Sequence, residues 1–262
     1  MATSPPLESV HLLEKDTSGE LLWVWSFPSI IPGLRGLITS RCTIPPGEGK
    51  EGEGEGEGGL PFSFGHAGVT WYYLANFSTG DAKTLPRVTT FCVIVLAKDF
   101  NPEKYQQLCG IFAAAYLSGG SPVSIVPHFL SVFTRGEITQ PPVSCRPFSV
   151  RDHDIRKAYV ACSFKGLVQQ FGLESILIYT AAVLKKRIVV YASSLDSLLR
   201  TCRTIPLFVW HRQNWNVVFP QLSLEHKGEM EDLAKHSTYI AGFLDPLCPG
   251  SDRPLRPSHQ RS

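Results

Sequence analysis

The first half of the chain contains several segments rich in apolar, β-branched and aromatic residues, which is the pattern of β-strands. Segments Val10–Glu14 and Glu20–Phe27 flank the turn residues Asp16–Gly19 and predict a β-hairpin. Three further strands are predicted at 60–65, 69–77 and 87–97. The last of these contains an uninterrupted apolar run, which is typical of a strand buried on both faces.

Helical spacing of apolar positions separates and follows these strands. Segment Ile31–Cys42 predicts a short helix. A second helix should begin with Asn101 as its N-cap and Pro102 at its first position, and end at Gly119-Gly120. Segment Pro122–Thr134 predicts a third helix. The predicted order is therefore β-β-α-β-β-β-α-α.

The second half predicts helices and short strands in alternation. Segment Phe164–Phe171 has an amphipathic pattern, whereas Glu174–Lys186 is apolar nearly all round and predicts a buried helix that needs cover on most sides. Strand Ile188–Tyr191, a helix capped by Ser193-Ser194 and strand Asn216–Phe219 predict a parallel β-α-β unit. A polar helix at 225–236 and a strand at 239–243 follow.

These patterns predict a mixed α/β fold in two modules. The first covers 1–135 and includes a Gly/Glu-rich insert at 47–59, whose glycines and like charges predict disorder. Residues 136–150 contain three prolines and little periodicity, so we expect a linker. The second module covers 151–245, and a Pro-, Ser- and Arg-rich tail at 246–262 is predicted to be disordered.

Composition narrows the class of protein. The 262 residues are 43% apolar, and 25 basic against 23 acidic side chains leave too little charge to indicate nucleic-acid binding. The longest apolar run, 108–117, is too short for a transmembrane helix, and the N-terminus lacks the features of a secretory signal. Seven scattered cysteines without a Cys-x-x-Cys pair favour reduced thiols and an intracellular location.

Enzyme signatures such as Gly-x-Ser-x-Gly, His-Glu-x-x-His and the Walker lysine loop do not occur, so we predict no catalytic residue, cofactor or metal.

Two stretches are unusual, the basic Leu184–Arg187 and the aromatic Trp210–Trp215. Trp and Arg are enriched at interface hot spots, although both Trp side chains could instead fill the core. The candidate partner-binding residues are Arg187, Trp210, His211, Arg212 and Gln213.

Several separate blocks of sequence resemble the DENN-domain family. They are Leu13–Asp16, Leu22–Trp25, Ala97–Tyr105, Arg156–Tyr159, Leu184–Tyr191, Trp210–Gln213 and Tyr239–Phe243. Together they extend over roughly residues 10–245.

This resemblance implies an upstream longin-like module, a linker and a central α/β DENN module. Family members are guanine-nucleotide exchange factors for Rab-family small GTPases, and they release GDP by disturbing its phosphate and magnesium contacts. The resemblance also implies endosomal vesicle trafficking, a cytoplasmic protein held peripherally on late endosomes, and contacts with subunits of an endosomal recycling complex. Exchange needs no cofactor and breaks no covalent bond.

The chain departs from this family in two places. The insert at 47–59 is not a family feature, and after Asp245 the family continues into a third, helical module that 246–262 does not resemble. We therefore expect a C-terminally truncated member with exposed apolar surface on its second half. Two alternatives to an exchange factor stay open. One is a non-exchanging interaction subunit of the endosomal assembly, and the other is a metabolic enzyme, which only the β-α-β pattern supports.

Overall fold

The computed structural model describes residues 6–30, 32–42, 62–79, 84–157 and 162–244. The chain divides into two compact units, Met1–Ile155 and Arg156–Ser262. The predicted disorder of the insert at 47–59 and of the tail at 246–262 lies outside the described residues.

The first unit contains seven strands and three α-helices among its described residues. In chain order these are β1 (Leu7–Asp16), β2 (Leu21–Phe27), α1 (Pro32–Cys42), β3 (Phe62–Ala67), β4 (Thr70–Ser78), β5 (Val88–Ala97), α2 (Pro102–Gly119), α3 (Val126–Arg135), β6 (Glu137–Ile138) and β7 (Phe148–Ser149). The first eight follow the order that the sequence predicts. The mixed α/β class is confirmed.

An antiparallel sheet in the order β2-β1-β5-β4-β3 forms the centre of this unit. Successive side chains of a strand point to opposite faces. Tyr73 of β4 accordingly stacks on Tyr105 of α2 at 4.3 Å between ring centroids, while Tyr72 and Leu74 pack in a cluster with Ile38 of α1. The sheet is therefore covered by α1 on one face and by α2 on the other.

The ends of α2 follow the predicted capping. Asn101 Oδ1 accepts a hydrogen bond from the Lys104 backbone N–H at 3.3 Å, and Pro102 occupies the first turn. At the other end Gly120 has a left-handed φ of 63° and its N–H donates to the Tyr116 carbonyl. The predicted helix over 122–134 is divided into a short 3-10 helix, Pro122–Ile125, and α3.

The segment predicted to be a linker, 136–150, carries secondary structure. Strands β6 and β7 pair in antiparallel fashion, and Ile138 and Phe148 are buried where the two strands meet. Strands of two residues are too short to produce an alternating pattern, so the sequence gives no sign of them.

The second unit is built on a parallel sheet. Its elements are α4 (Phe164–Phe171), α5 (Ser175–Val183), β8 (Arg187–Tyr191), α6 (Leu195–Thr204), β9 (Val218–Leu222), α7 (Lys227–Ala234) and β10 (Tyr239–Phe243). The sheet order is β8-β10-β9, with β10 parallel to both neighbours. The predicted parallel direction is confirmed, but β8 and β9 are separated by the last strand.

Helix α6 lies on one face of this sheet, where its Cys202 packs against Gly242 of β10. A Cβ atom at position 242 would overlap with Cys202 Sγ and with the Pro220 carbonyl. On the other face, Leu233 of α7 packs in a cluster with Phe219, Ala241 and Phe243. Strand β8 is less well covered on this face, because Val189 and Tyr191 are both about half exposed.

The expectation that 174–186 forms a buried helix is wrong. Helix α5 ends at Val183, and of its residues only Ser175 is buried. Ile176 is 62% and Leu177 67% exposed, and Tyr179 is also exposed. A helix that is apolar all round needs neighbours on every side. Within the second unit, α5 has neighbours on one side only.

Candidate partner-binding site

Four of the five candidate residues lie at the end of one 3-10 helix. This helix, Ile205–Arg212, directly follows α6 and is kinked at Val209, whose φ and ψ are −125° and 41°. It ends at Gln213, which has a left-handed φ of 44°. The reversal of the chain at Gln213 presents Trp210, His211 and Arg212 on successive positions of a tight turn.

Arg212 is engaged within the fold. Its Nη1 donates to the Ala182 carbonyl at 2.9 Å and its Nη2 to the Val183 carbonyl at 2.8 Å. These carbonyls belong to the last turn of α5, where helix geometry leaves acceptors without an intrahelical donor. A cation at this end is also favoured by the helix dipole. Arg212 therefore fixes the end of α5 to the 3-10 helix.

The two tryptophans differ in burial. Trp215 is buried, and Trp210 packs edge-on against it at 6.2 Å between ring centroids while remaining partly exposed. The sequence left open whether the two Trp side chains fill the core or form an interface. In the structure Trp215 fills the core, whereas Trp210 lies at its border. His211 and Gln213 are exposed.

Arg187 lies at the start of β8 and is exposed. Its Nη2 donates to the His236 carbonyl at 3.1 Å, and its guanidinium lies 5.6 Å from the centroid of the Tyr239 ring. Like Arg212, it has contacts within the fold, although most of the side chain faces solvent.

A cavity of about 120 Å³ joins the two stretches that the sequence singles out. Lys185, Lys186 and Arg212 line it together with apolar side chains that include Ile188 and Val209. None of the described residues that line it carries a carboxylate, thiol or imidazole. This lining, with its three cationic side chains, can attract an acidic group.

Lys185 and Lys186 are not among the candidate residues that the sequence predicts, although they belong to the basic stretch Leu184–Arg187. The signal that could have identified Lys185 is its place after an apolar helix. There it adopts a left-handed φ of 53° that ends the helical path and turns the chain into β8.

A second polar cluster, in the first unit, escaped the sequence analysis. The Lys104 ammonium and the Tyr105 hydroxyl both donate to the Asp99 carboxylate, and Tyr73 Oη donates to the Asp99 carbonyl at 2.9 Å. Burial raises the pKa of Tyr105, with Asp99 adding to the effect, and burial lowers the pKa of Lys104 against the opposing effect of Asp99. These contacts fix the start of α2 to the sheet.

Across the described residues, no three His, Cys, Asp or Glu side chains are grouped so that they could hold a metal ion. None of the helices in the described ranges has the length and apolar character needed to cross a membrane.

Comparison with known proteins gives one family match and several relatives that align with most of this chain. The model of a family described as "Stabilization of polarity axis" matches residues 162–252, within the second unit. The chain is 39% identical over 246 residues to DENN domain-containing protein 10 of Danio rerio, covering 94% of this chain and 67% of the relative. The Homo sapiens protein of that name is 40% identical over 236 residues, covering 90% and 63%.

A more distant relative extends the comparison. DENN domain-containing protein 10 of Dictyostelium discoideum is 34% identical over 261 residues, covering 94% of this chain and 68% of its own length. The chain thus spans about two thirds of the length of these relatives.

Proposed function

Because this chain belongs to the family of DENN domain-containing protein 10, we propose that it binds a Rab-family GTPase and promotes release of its bound GDP. Such a protein stabilises the nucleotide-free GTPase more than the nucleotide-bound form, and no covalent bond is made or broken. The proposal includes a cytoplasmic site of action on the surface of late endosomes.

The observation that carries the proposal is the extent of the family relationship. The alignments cover 90–94% of this chain, so they include both compact units. A relationship limited to one unit would support a shared fold for that unit alone, whereas a relationship over both units supports a function shared with the relatives.

Apolar side chains on the surface of the second unit support a partner contact there. Phe208 packs against Phe164 at 4.7 Å and against Tyr179 at 6.1 Å between ring centroids, which joins α4 and α5 into one apolar surface. Ile176 and Leu177 extend this surface into solvent. An apolar centre with polar and charged residues at its border is the usual arrangement of a binding site.

The test is release of a fluorescent GDP analogue from a panel of purified Rab GTPases, measured with and without the full chain. We expect acceleration of at least ~10-fold for one member, and a weakening of GDP affinity by a factor of that size is within the usual range of coupling between two ligands. The variant His211→Ala/Gln213→Ala, which changes two exposed side chains, should weaken this effect, whereas Glu231→Ala on α7 should not. Absence of both acceleration and binding across the panel would overturn the proposal.

The exposed apolar surface favours one alternative, an interaction subunit of an endosomal recycling assembly that does not exchange nucleotide. Permanent complexes bury more apolar interfaces than transient ones do. Affinity purification of the tagged chain from cytosol distinguishes the two proposals. Recovery of endosomal assembly subunits without a GTPase, together with unchanged GDP release, would favour the interaction subunit.

A further inference from the structure

Two cysteines of the first unit lie in direct contact. Cys42 is the last residue of α1 and Cys92 lies in the central strand β5, 50 positions further along the chain, yet their Sγ atoms are only 3.5 Å apart. Neither is part of a disulfide.

Packing between α1 and the sheet holds the two sulfurs together. Cys92 belongs to the buried cluster that includes Ile38 of α1 and Leu13 of β1, and Cys42 packs against the outside of this cluster. A disulfide bond is about 2.05 Å long. The sulfurs must therefore approach by roughly 1.5 Å, and a side chain at the end of a helix is well placed to move, because terminal turns fray.

The two thiols differ in their access to solvent. Cys42 is half-buried, whereas Cys92 is buried. The hydrogen bond from Cys42 and burial both raise the pKa of the Cys92 thiol. Because oxidants react with accessible thiolates, Cys42 is the first sulfur to be oxidised and Cys92 is the one that resolves the product.

We propose that Cys42 and Cys92 form an oxidation site that hydrogen peroxide converts into an intramolecular disulfide. The Cys42 thiolate attacks one peroxide oxygen, which gives a sulfenic acid and, after protonation of the departing hydroxide, a water molecule. The Cys92 sulfur then attacks Sγ of Cys42, the sulfenic hydroxyl leaves with a proton as a second water, and the S–S bond forms. The two thiols lose two electrons in total, and these reduce one peroxide molecule.

This disulfide would fasten the end of α1 to the middle of the sheet. It would also close a loop that contains the whole Gly/Glu-rich segment at 47–59. Closing a long loop restricts the unfolded chain more than closing a short one. We therefore expect the oxidised protein to melt at a temperature several degrees higher than the reduced protein, and a thiol reductant to reverse the shift.

The cross-link can be identified directly by peptide mass spectrometry. Trypsin cleaves after Arg41, Lys50, Arg87 and Lys98, so Cys42 and Cys92 fall in separate peptides, 42–50 and 88–98, each with one cysteine. The folded full chain is treated with hydrogen peroxide, its remaining thiols are alkylated, and it is digested without reduction. We expect peptides 42–50 and 88–98 to be joined, at a mass lower by two hydrogens than their sum.

Two variants make the test specific. Cys42→Ser should abolish the joined peptides. Cys145→Ser removes another half-buried thiol, whose sulfur contacts are the Gly110 carbonyl and Ser144 Oγ, and it should leave the joined peptides unchanged. Recovery of the two peptides apart, with Cys42 carried on to the sulfinic acid, would overturn the proposal. So would a cross-link that forms only in urea or only between two copies of the chain.

Discussion

Arg212 shows how one side chain can match an interface pattern and still serve the fold. Its position between Trp210 and Trp215 predicts a partner contact, but its guanidinium donates to the carbonyls of Ala182 and Val183. Those acceptors are about thirty residues away in the chain. The sequence cannot indicate a contact that depends on how α5 packs against the 3-10 helix.

Replacing Arg212 should therefore lower stability. Arg212→Ala removes two charge-assisted hydrogen bonds and a cation from the end of α5, and we expect a loss of about 2 kcal/mol in the free energy of unfolding. Urea unfolding followed by fluorescence measures this change. His211→Ala, at an exposed neighbouring position, should change stability by less than about 0.5 kcal/mol. Equal effects of both substitutions would contradict the assignment.

Buried His11 should make stability depend on pH. It lies in β1 with Nε2 2.8 Å from Ser9 Oγ, and burial lowers its pKa from 6.5 to about 4. The unfolded chain takes up the proton as the pH falls below 6.5, whereas the folded chain does so only near 4. The contribution of neutral His11 to stability is therefore fully present above pH 6.5 and is lost as the pH falls towards 4. The free energy of unfolding should decline by about 2 kcal/mol from pH 7.5 to pH 5.

The matched control for this pH dependence is His11→Gln, which retains a polar side chain that does not titrate. Urea unfolding at pH 7.5 and pH 5 should show a smaller loss for this variant. His128 and His153, whose pKa values are also lowered by burial, remain in both proteins and cancel in the comparison. An unchanged pH dependence would assign the effect to other groups.

Among the elements, those with strong local signals were predicted well. The β1-β2 hairpin has turn residues between two segments of β-forming residues, and α2 has Asn101, Pro102 and Gly120 at its ends. Strand β10 occupies the predicted residues 239–243. Strands β6 and β7, and the kinked 3-10 helix before Gln213, lack such signals because tertiary contacts determine them.

Helix α5 illustrates a different limit of sequence patterns. Its composition indicates that it needs cover, but not whether the second unit supplies that cover. The structure leaves Ile176 and Leu177 largely in solvent. Exposed apolar surface on the second half, which the sequence led us to expect, is thus present on this helix.

Polar substitutions on α5 should reduce association without unfolding the protein. Both side chains changed in Ile176→Ser/Leu177→Ser are exposed, and serine lowers helix propensity only slightly, so we expect a stability change of about 1 kcal/mol or less. Binding of a hydrophobic dye and light scattering should both fall. Leu167→Ser, at a buried position of α4, should instead destabilise the protein by about 3 kcal/mol or more. Unchanged dye binding in the double variant would show that the apolar surface responsible for association lies outside α5.

At the scale of the whole molecule, the sequence blocks that resemble the DENN family were sufficient to identify it, and the relatives confirm that membership. The partner-binding residues stay a prediction. His211 and Gln213 are exposed as a contact requires, whereas Arg187 and Arg212 already have contacts within the fold. Only the three-dimensional arrangement separates these two pairs, since Arg212 lies between His211 and Gln213 in the sequence and differs from them in its contacts with α5.

The Gly/Glu-rich segment should contribute little to the stability of the whole protein. Deleting 47–59 removes glycines and like-charged glutamates, a composition that predicts little packing, and shortening the connection between α1 and β3 changes closure entropy only slightly. We expect the melting temperature to change by less than a few degrees in a thermal scan. A Gly/Ser segment of equal length is the control for loop length. A drop of more than several degrees for both variants would show that the native segment packs on the fold.

The position of β10 has a consequence for how this protein is made. Strands β8 and β9 do not pair with each other, because β10, the last of the described strands to be synthesised, lies between them. A ribosome that has passed β9 has therefore produced two strands without their common neighbour, while the five strands of the larger sheet are already complete. The first unit can fold on the nascent chain, and the second must wait for Tyr239–Phe243. A premature stop codon anywhere before these five residues would release a chain whose second sheet has no centre, and such a product is a substrate for chaperones and proteases.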